Sequence, residues 1–440
     1  MFGTDGVRGK PGQPPLDALT IAKIGAAAAR ILSESDLKLL IVRDTRESGI
    51  WIEQQLVRGI THEGVSAVSA GILPTPAAAF LSASKDFCGA LVVSASHNPF
   101  PDNGIKVFTG EGRKASKLLE SELEAMVRDE SWDFPVSENL CVETCDLSDS
   151  YESYMEILLA DCGNIPEMRI AVDCANGSMS EIAPRILRKQ GFNVVEINSD
   201  PDGKNINLAC GSTNTLALQK VVKAQECCLG IAFDGDGDRS ILVDHTGDVI
   251  DGDVMLFVCA SYLKAINKLS GSGVVATVMS NVGLERGLSR LGIKLNRCPV
   301  GDREVSEAML HHGFVLGGEQ SGHLIFSGLL GSGDGLLTAL MVIKAMIEGD
   351  SNLAELRHGL EIYPQILANV PVREKLDLAS VPEIAELIAQ AEKILGVDGR
   401  LLVRYSGTEP LLRVMIEGKD LDVVKRLSDS IASKARHLLG

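Results

Sequence analysis

Short apolar runs alternate with amphipathic stretches from residue 17 to residue 347. Leu39-Leu40-Ile41-Val42, Val65–Ala70, Ala90-Leu91-Val92-Val93, Arg169–Asp173, Asn193–Ile197, Leu229–Phe233, Val274–Met279 and Phe314–Leu316 have the length and polar boundaries of strands. Between them Asp17–Leu32, Ile52–His62, the residues after Pro74, Tyr151–Leu159, Asp253–Leu269 and Asp334–Ile347 repeat apolar residues at helical spacing. Strand followed by helix, over and over, predicts α/β layers. The pattern then changes. A strand at Gln365–Val372, a helix at Pro382–Leu395, strands at Arg400–Tyr405 and Leu412–Glu417 and a final helix from Asp420 predict a smaller α+β unit. Asp129–Ser150, polar and weakly periodic, reads as a linker. The expected domains are 1–147, 148–243, 244–361 and 362–440.

At 440 residues the chain exceeds one ordinary core, consistent with several domains. No window has the uninterrupted apolar length of a membrane span, and Met1 is followed by a glycine-rich turn and not by a basic, then apolar, leader. Ten cysteines with no Cys-x-x-Cys pair suggest reduced thiols in a cytoplasm, with neither disulfides nor zinc. The net charge of −17 argues against nucleic acid or an acidic membrane as partner. An anionic substrate would need cations gathered locally against that field. With aromatic residues at 4%, sugar rings would be held mainly by hydrogen bonds.

The loops at strand ends supply such groups. Ala90–Val93 runs into Ser94-Ala95-Ser96-His97-Asn98-Pro99, which delivers Ser96 at a strand end beside an imidazole. Asp102-Asn103-Gly104-Ile105-Lys106 reads as a tight turn returning Lys106 towards that serine. Leu229–Phe233 runs into Asp234-Gly235-Asp236-Gly237-Asp238-Arg239. Its three alternate carboxylates would repel without a cation, and all-oxygen ligands suit Mg2+. An EF-hand is excluded, because Arg239 and His245 stand where that loop needs glycine and glutamate. Gly301-Asp302-Arg303 offers an anion contact at a loop–helix junction. Gly317-Gly318-Glu319-Gln320-Ser321-Gly322-His323 can accept from and donate to vicinal hydroxyls. Arg404-Tyr405-Ser406-Gly407-Thr408-Glu409-Pro410, with Arg413, suits a dianionic phosphate. Phe2–Gly9 carries Arg8 but fails the phosphate-loop spacing, and the glycines of Gly271-Ser272-Gly273 precede a strand where a dinucleotide fingerprint needs them after one.

In this order, F-G-T-D-G-V-R-G, S-A-S-H-N-P, D-G-D-G-D-R, G-G-E-Q-S-G-H and R-Y-S-G-T-E-P resemble the motifs of the α-D-phosphohexomutase superfamily across essentially the whole chain. Tyr405 stands where that family's last motif has proline. The resemblance implies three similar α/β domains with mixed sheets and a smaller C-terminal α+β lid around a central cleft. It implies a phosphoserine at Ser96, with Mg2+ held by Asp234, Asp236, Asp238 and an oxygen of that phosphoserine. Arg8, His97, Lys106 and His323 would surround the transfer centre, and Glu319 and Ser321 would hold sugar hydroxyls. Arg404, Ser406, Gly407, Thr408 and Arg413 would grip the non-reacting phosphate, with Arg239 and Arg303 as further cations. The implied reaction interconverts glucosamine 6-phosphate and glucosamine 1-phosphate through a 1,6-bisphosphate, feeding amino-sugar nucleotide and cell-wall synthesis. A hexose 1,6-bisphosphate or a kinase would first load Ser96, and a homodimer is the suggested assembly. The alternatives are action on glucose or mannose phosphates, a metal-dependent phosphomonoesterase, and a non-catalytic sugar-phosphate-binding protein.

Overall fold

The innermost strands form where the chain buries consecutive residues on both faces. All seven residues of Phe87–Val93 are buried, as are all five of Leu229–Phe233. A computed structural model describes residues 1–3, 5–33, 37–83, 86–134, 142–162, 165–406 and 410–440. These divide into two units, Met1–Met279 with Ile293–His358, and Ser280–Gly292 with Gly359–Gly440.

The larger unit holds three mixed sheets. The first contains β1 (Val7–Gly9), β2 (Lys38–Arg43), β3 (Ala67–Ile72), β4 (Phe87–Val93), β5 (Asn103–Thr109) and β6 (Glu143–Thr144), in the order β1-β5-β4-β2-β3-β6. The second contains β7 (Arg169–Asp173), β8 (Asn193–Ile197), β9 (Leu229–Phe233), β10 (Ser240–Asp244) and β11 (Val249–Ile250), in the order β11-β10-β9-β7-β8. The third contains β12 (Gly273–Thr277), β13 (Lys294–Cys298), β14 (Leu316–Gly318) and β15 (Leu324–Phe326), in the order β13-β12-β14-β15.

One arrangement recurs in all three. β4, β9 and β14 each pair in parallel with a central strand on one side and antiparallel with the next strand in sequence on the other. The loop leaving that strand carries the serine, the aspartates and Glu319 in turn. The three sheets are thus copies of one topology, as the family resemblance implies.

The smaller unit is an antiparallel sheet of β16 (Gln365–Pro371), β17 (Gly399–Tyr405) and β18 (Leu411–Gly418), in the order β16-β18-β17. Val414 and Ile416 share a core with Ile384 of the helix Pro382–Leu395 and with Leu427 and Ile431 of the helix Leu421–Leu439. The unit also takes in the helix Val282–Arg290. Asn281 caps that helix and exchanges two hydrogen bonds with the Tyr363 backbone, at 2.9 and 3.0 Å.

Two expectations need correction, and one strand was missed. Asn103–Lys106 is strand, not turn. β5 has a ladder partner on each side, and the Asn103 amide donates to Ser48 Oγ at 2.9 Å instead of closing a local turn. The stretch read as a linker contains β6, a two-residue exposed edge strand beside β3. β13 went unseen because Lys294-Leu295-Asn296-Arg297-Cys298 lies at a sheet edge and carries no apolar run. Among the described residues no helix is long and apolar enough to cross a membrane.

Candidate active site

Ser96 follows β4 with its backbone at φ 51°, a left-handed conformation uncommon outside glycine. The surrounding loop holds it there. Ser96 N donates to Ser94 Oγ at 2.9 Å, and its carbonyl accepts from Arg46 at 3.0 Å and Asn207 at 2.9 Å. Arg46 is 1% exposed and uses all five donors. They go to the carbonyls of Ser96, Asn98, Pro99 and Asp102 and to the Asp44 carboxylate, at 2.7–3.0 Å. Asp44 also accepts from Ser94 Oγ at 2.6 Å, which completes the brace.

Ser96 Oγ donates to Asp234 Oδ2 at 2.6 Å. Close approach of the two loops is what allows this contact. A Cβ on Gly235 would lie 2.6 Å from the Ser96 carbonyl oxygen, so only glycine fits there. Asp234, Asp236 and Asp238 are buried, and each offers an oxygen within 4.8 Å of the others. Burial, then Asp238 and Asp236, push the Asp234 carboxyl well above its ordinary range. Lys106 reaches Asp236 at 2.8 Å and Asp238 at 2.9 Å; burial opposes its charge, but Asp236, Asp238 and Asp5 outweigh burial and raise its pKa well above the ordinary value. Thr75 Oγ1 donates to Asp236 Oδ2 at 2.5 Å. Asp236 Oδ1 is buried with no hydrogen-bond partner, as is Asp238 Oδ1. Three buried carboxylates that bring oxygens within 4.8 Å of one another, two of them with an oxygen that accepts no hydrogen bond, are what a hard divalent cation needs, so the residues fit Mg2+.

His97 Nδ1 lies 3.4 Å from Ser96 Oγ and accepts from Arg239 at 2.6 Å. Burial and the cations Arg239 and Arg8 lower its pKa, so the ring is neutral with its proton on Nε2. His323 behaves oppositely. Burial again disfavours its charge, but Asp238, with Nδ1 3.6 Å from its carboxylate, helps Asp302 and Glu319 to raise its pKa. Arg8 bonds the Ala95 carbonyl and Asp5.

One network in the larger unit thus joins Ser96, His97, Arg8, Lys106, Asp234, Asp236, Asp238, Arg239 and His323. Arg303 lies in the same unit but pairs with Glu120 at 2.5 Å, whereas Glu319 accepts from Gly301 N at 3.1 Å and joins the edge of the network through its backbone N–H, which donates to the His323 carbonyl at 2.9 Å. Ser321 is exposed in the loop between β14 and β15. In the smaller unit Arg404 and Arg413 are direct cross-strand partners of β17 and β18, and burial together with Arg413 lowers the Arg404 pKa. Like charges placed opposite each other are unfavourable unless an anion joins them. Ser406 follows, its carbonyl accepting from Lys375 at 2.6 Å. Gly407 and Thr408 lie outside the described residues.

Reading the sequence missed Arg46, Thr75, Asn207, Asp5 and Lys114. The signal for Arg46 was present, since charged Asp44 and Arg46 immediately follow an apolar strand.

A hydroxyl held against three buried acids and ringed by cations, on a threefold α/β framework, defines an enzyme built for phosphoryl transfer. Family models for domains I, II, III and the C-terminal domain of phosphoglucomutase/phosphomannomutase match residues 1–133, 152–247, 251–363 and 367–434. The chain belongs to that family, within the α-D-phosphohexomutase superfamily, and is an isomerase that works by phosphoryl transfer. Phosphoglucosamine mutase of Solibacter usitatus is 42% identical over 450 residues, covering 100% of this chain and 99% of the relative. That of Desulforudis audaxviator is 42% identical over 438 residues, covering 98% and 96%. Among solved structures, a Burkholderia thailandensis phosphoglucomutase/phosphomannomutase family protein superposes with TM-score 0.82 at 24% identity, covering 100% and 99%. A Thermus thermophilus putative phosphomannomutase gives 0.79 at 22%, covering 99% of each chain. At these identities the two structures speak to the fold alone.

Proposed function

We propose that this chain interconverts D-glucosamine 6-phosphate and D-glucosamine 1-phosphate, with Ser96 as the phosphoryl carrier. The observation that carries the reading is the 42% identity, end to end, with relatives named phosphoglucosamine mutase. In the proposed cycle the P–Oγ bond of phosphorylated Ser96 breaks and a P–O bond to the free sugar hydroxyl forms, while that hydroxyl's proton ends on Ser96 Oγ and restores the serine hydroxyl. The resulting 1,6-bisphosphate turns over, and its other phosphoryl group returns to Ser96. Asp234, Asp236 and Asp238 would hold Mg2+, which when bound supplies positive charge against the transferring phosphoryl group.

Arg46 and Asn207 fix the serine backbone, so that attack and return occur at one place. Arg8, Arg239 and Lys106 supply positive charge at the transfer centre. Lys106 is held as an ammonium, a donor, so its contribution is electrostatic in this form. Neutral His97 and His323, whose affinity for a proton Asp238, Asp302 and Glu319 raise against burial, are the proton-bearing groups beside it. Glu319 and Ser321 would read sugar hydroxyls, with Arg303, Arg404, Ser406, Gly407, Thr408 and Arg413 as phosphate contacts. The reading includes loading of Ser96 by a hexose 1,6-bisphosphate or a kinase, a cytoplasmic homodimer, a division at 147, 243 and 361, and a product that feeds amino-sugar nucleotide synthesis.

The test loads the protein with glucose 1,6-bisphosphate, locates the phosphate by peptide mass, and measures turnover on glucosamine, glucose and mannose 6-phosphates with Mg2+. The expected result is the highest kcat/KM on glucosamine 6-phosphate and a fall of about a thousandfold or more in Ser96→Ala. Preference for glucose or mannose phosphates would replace the glucosamine assignment. Stoichiometric release of inorganic phosphate would mark a phosphatase instead.

A further inference from the structure

β5 does not end at Thr109 so much as fold back on itself. Thr109 N donates to Arg113 O at 2.8 Å, Ala115 N donates to Val107 O at 2.8 Å, and Lys114 forms a bridge with Phe108. Two lysines of one strand and its return therefore reach one carboxylate. Lys106 Nζ lies 3.3 Å from Asp5 Oδ2, and Lys114 Nζ bonds Asp5 Oδ1. The other partner of Lys114 is Asp302 Oδ2, at 2.7 Å. Asp302 opens the helix Asp302–His312 and stands beside Arg303. Asp5 is also bonded to Arg8. The Lys114 side chain is 11% exposed, and the proposed cycle makes no use of it.

Two carboxylates within reach of one ammonium repel each other once that ammonium is gone, and strongly so where water is scarce. If Asp5 moves away, Arg8 and Lys106 lose a shared anchor. If Asp302 moves, the start of the helix that carries Arg303 moves with it. A displacement of about 1 Å in groups around a reacting centre can cost about a hundredfold in rate. We propose that Lys114 is a positioning residue for phosphoryl transfer, setting Arg8 and Lys106 against Ser96 through Asp5, and the Arg303 end of its helix through Asp302. The proposal rests on the phosphohexomutase reading above.

The experiment compares the parent protein with Lys114→Met, Lys114→Arg and Lys117→Met. Lys117, at 67% exposure, pairs with Glu304 on the same helix and serves as a control for lost charge pairing alone. Each protein is loaded at Ser96, checked by intact mass, and assayed for kcat and KM with glucosamine 6-phosphate and Mg2+. Lys114→Met is expected to lower kcat about thirtyfold or more with KM within about threefold, Lys114→Arg to recover to within about fivefold, and Lys117→Met to match the parent. A Lys114→Met kcat within about threefold of the parent would overturn the proposal, as would an arginine variant no better than the methionine one. Should Lys114→Met fail to fold by circular dichroism, Lys114→Gln keeps a side-chain donor between Asp5 and Asp302 and removes only the charge that holds the two carboxylates together. A kcat loss of about fivefold or more at unchanged KM then supports the proposal, and a parent-like kcat refutes it. If the parent itself interconverts no sugar phosphate, it is the functional reading that fails and not this one.

Discussion

Arg46 shows how much a single side chain holds in place. Replacing it with methionine leaves the buried Asp44 carboxylate without its cation and takes one donor from each of four carbonyls. The expected cost is about 3–5 kcal/mol of unfolding free energy in denaturant titration, with Ser96 no longer accepting phosphate by intact mass. His97 and His323 make a second test, in opposite directions. In metal-free protein, ring resonances should place His97 below, and His323 above, the ordinary imidazole value of 6.5. The signs follow from which state binds more protons. The His97 contribution to stability is present above that value and is lost as pH falls through its native pKa. The His323 contribution is full below that value and is lost as pH rises through its native pKa. His323→Gln should therefore lose stability mainly on the acid side of neutrality, measured by denaturant titration across pH. At this scale Ser96 and the three aspartates were legible because they form short motifs at strand ends. Asp5 and Lys114 were not, because their meaning lies in contacts with residues 109 and 188 positions away.

The elements repeat one device, a strand whose neighbours run parallel on one side and antiparallel on the other. Its exit loop is where three different chemistries sit, and the loops must touch. Gly235→Ala would place a Cβ 2.6 Å from the Ser96 carbonyl oxygen and force the serine and aspartate loops apart. The expected outcome is a kcat at least about tenfold lower, from a loss of about 1–3 kcal/mol of packing, with far-UV circular dichroism unchanged. Buried strands such as β4 and β9 were plain in the sequence because both faces are apolar. β10 and β15 were unseen, although β10 is wholly buried, because each follows a loop so charged or glycine-rich that the eye stops there. The tight turn expected at Asp102–Lys106 fails for the opposite reason. Asn103 and Gly104 have turn-like identities, but two ladders hold them extended.

On the scale of the whole molecule the acidic background is countered locally, as a net charge of −17 requires of a protein that handles phosphates. Chelation with EDTA should abolish turnover, and Mg2+ at a hundred times its Kd should stabilise the native protein by about 2.7 kcal/mol, an increment that Asp236→Asn removes. The smaller unit offers its own readout. With Arg404 and Arg413 opposite each other in the ladder, the proposed phosphate site predicts that inorganic phosphate raises the melting temperature, and Arg413→Leu should erase that rise. That unit also borrows Ser280–Gly292 from mid-chain, so the backbone passes between the units at 279–280, 292–293 and 358–359. A body stitched from two lengths of chain is only as sound as its seam, so Asn281→Ala, which removes both bonds to Tyr363 and the cap of the helix Val282–Arg290, should cost the protein about 2 kcal/mol in denaturant titration.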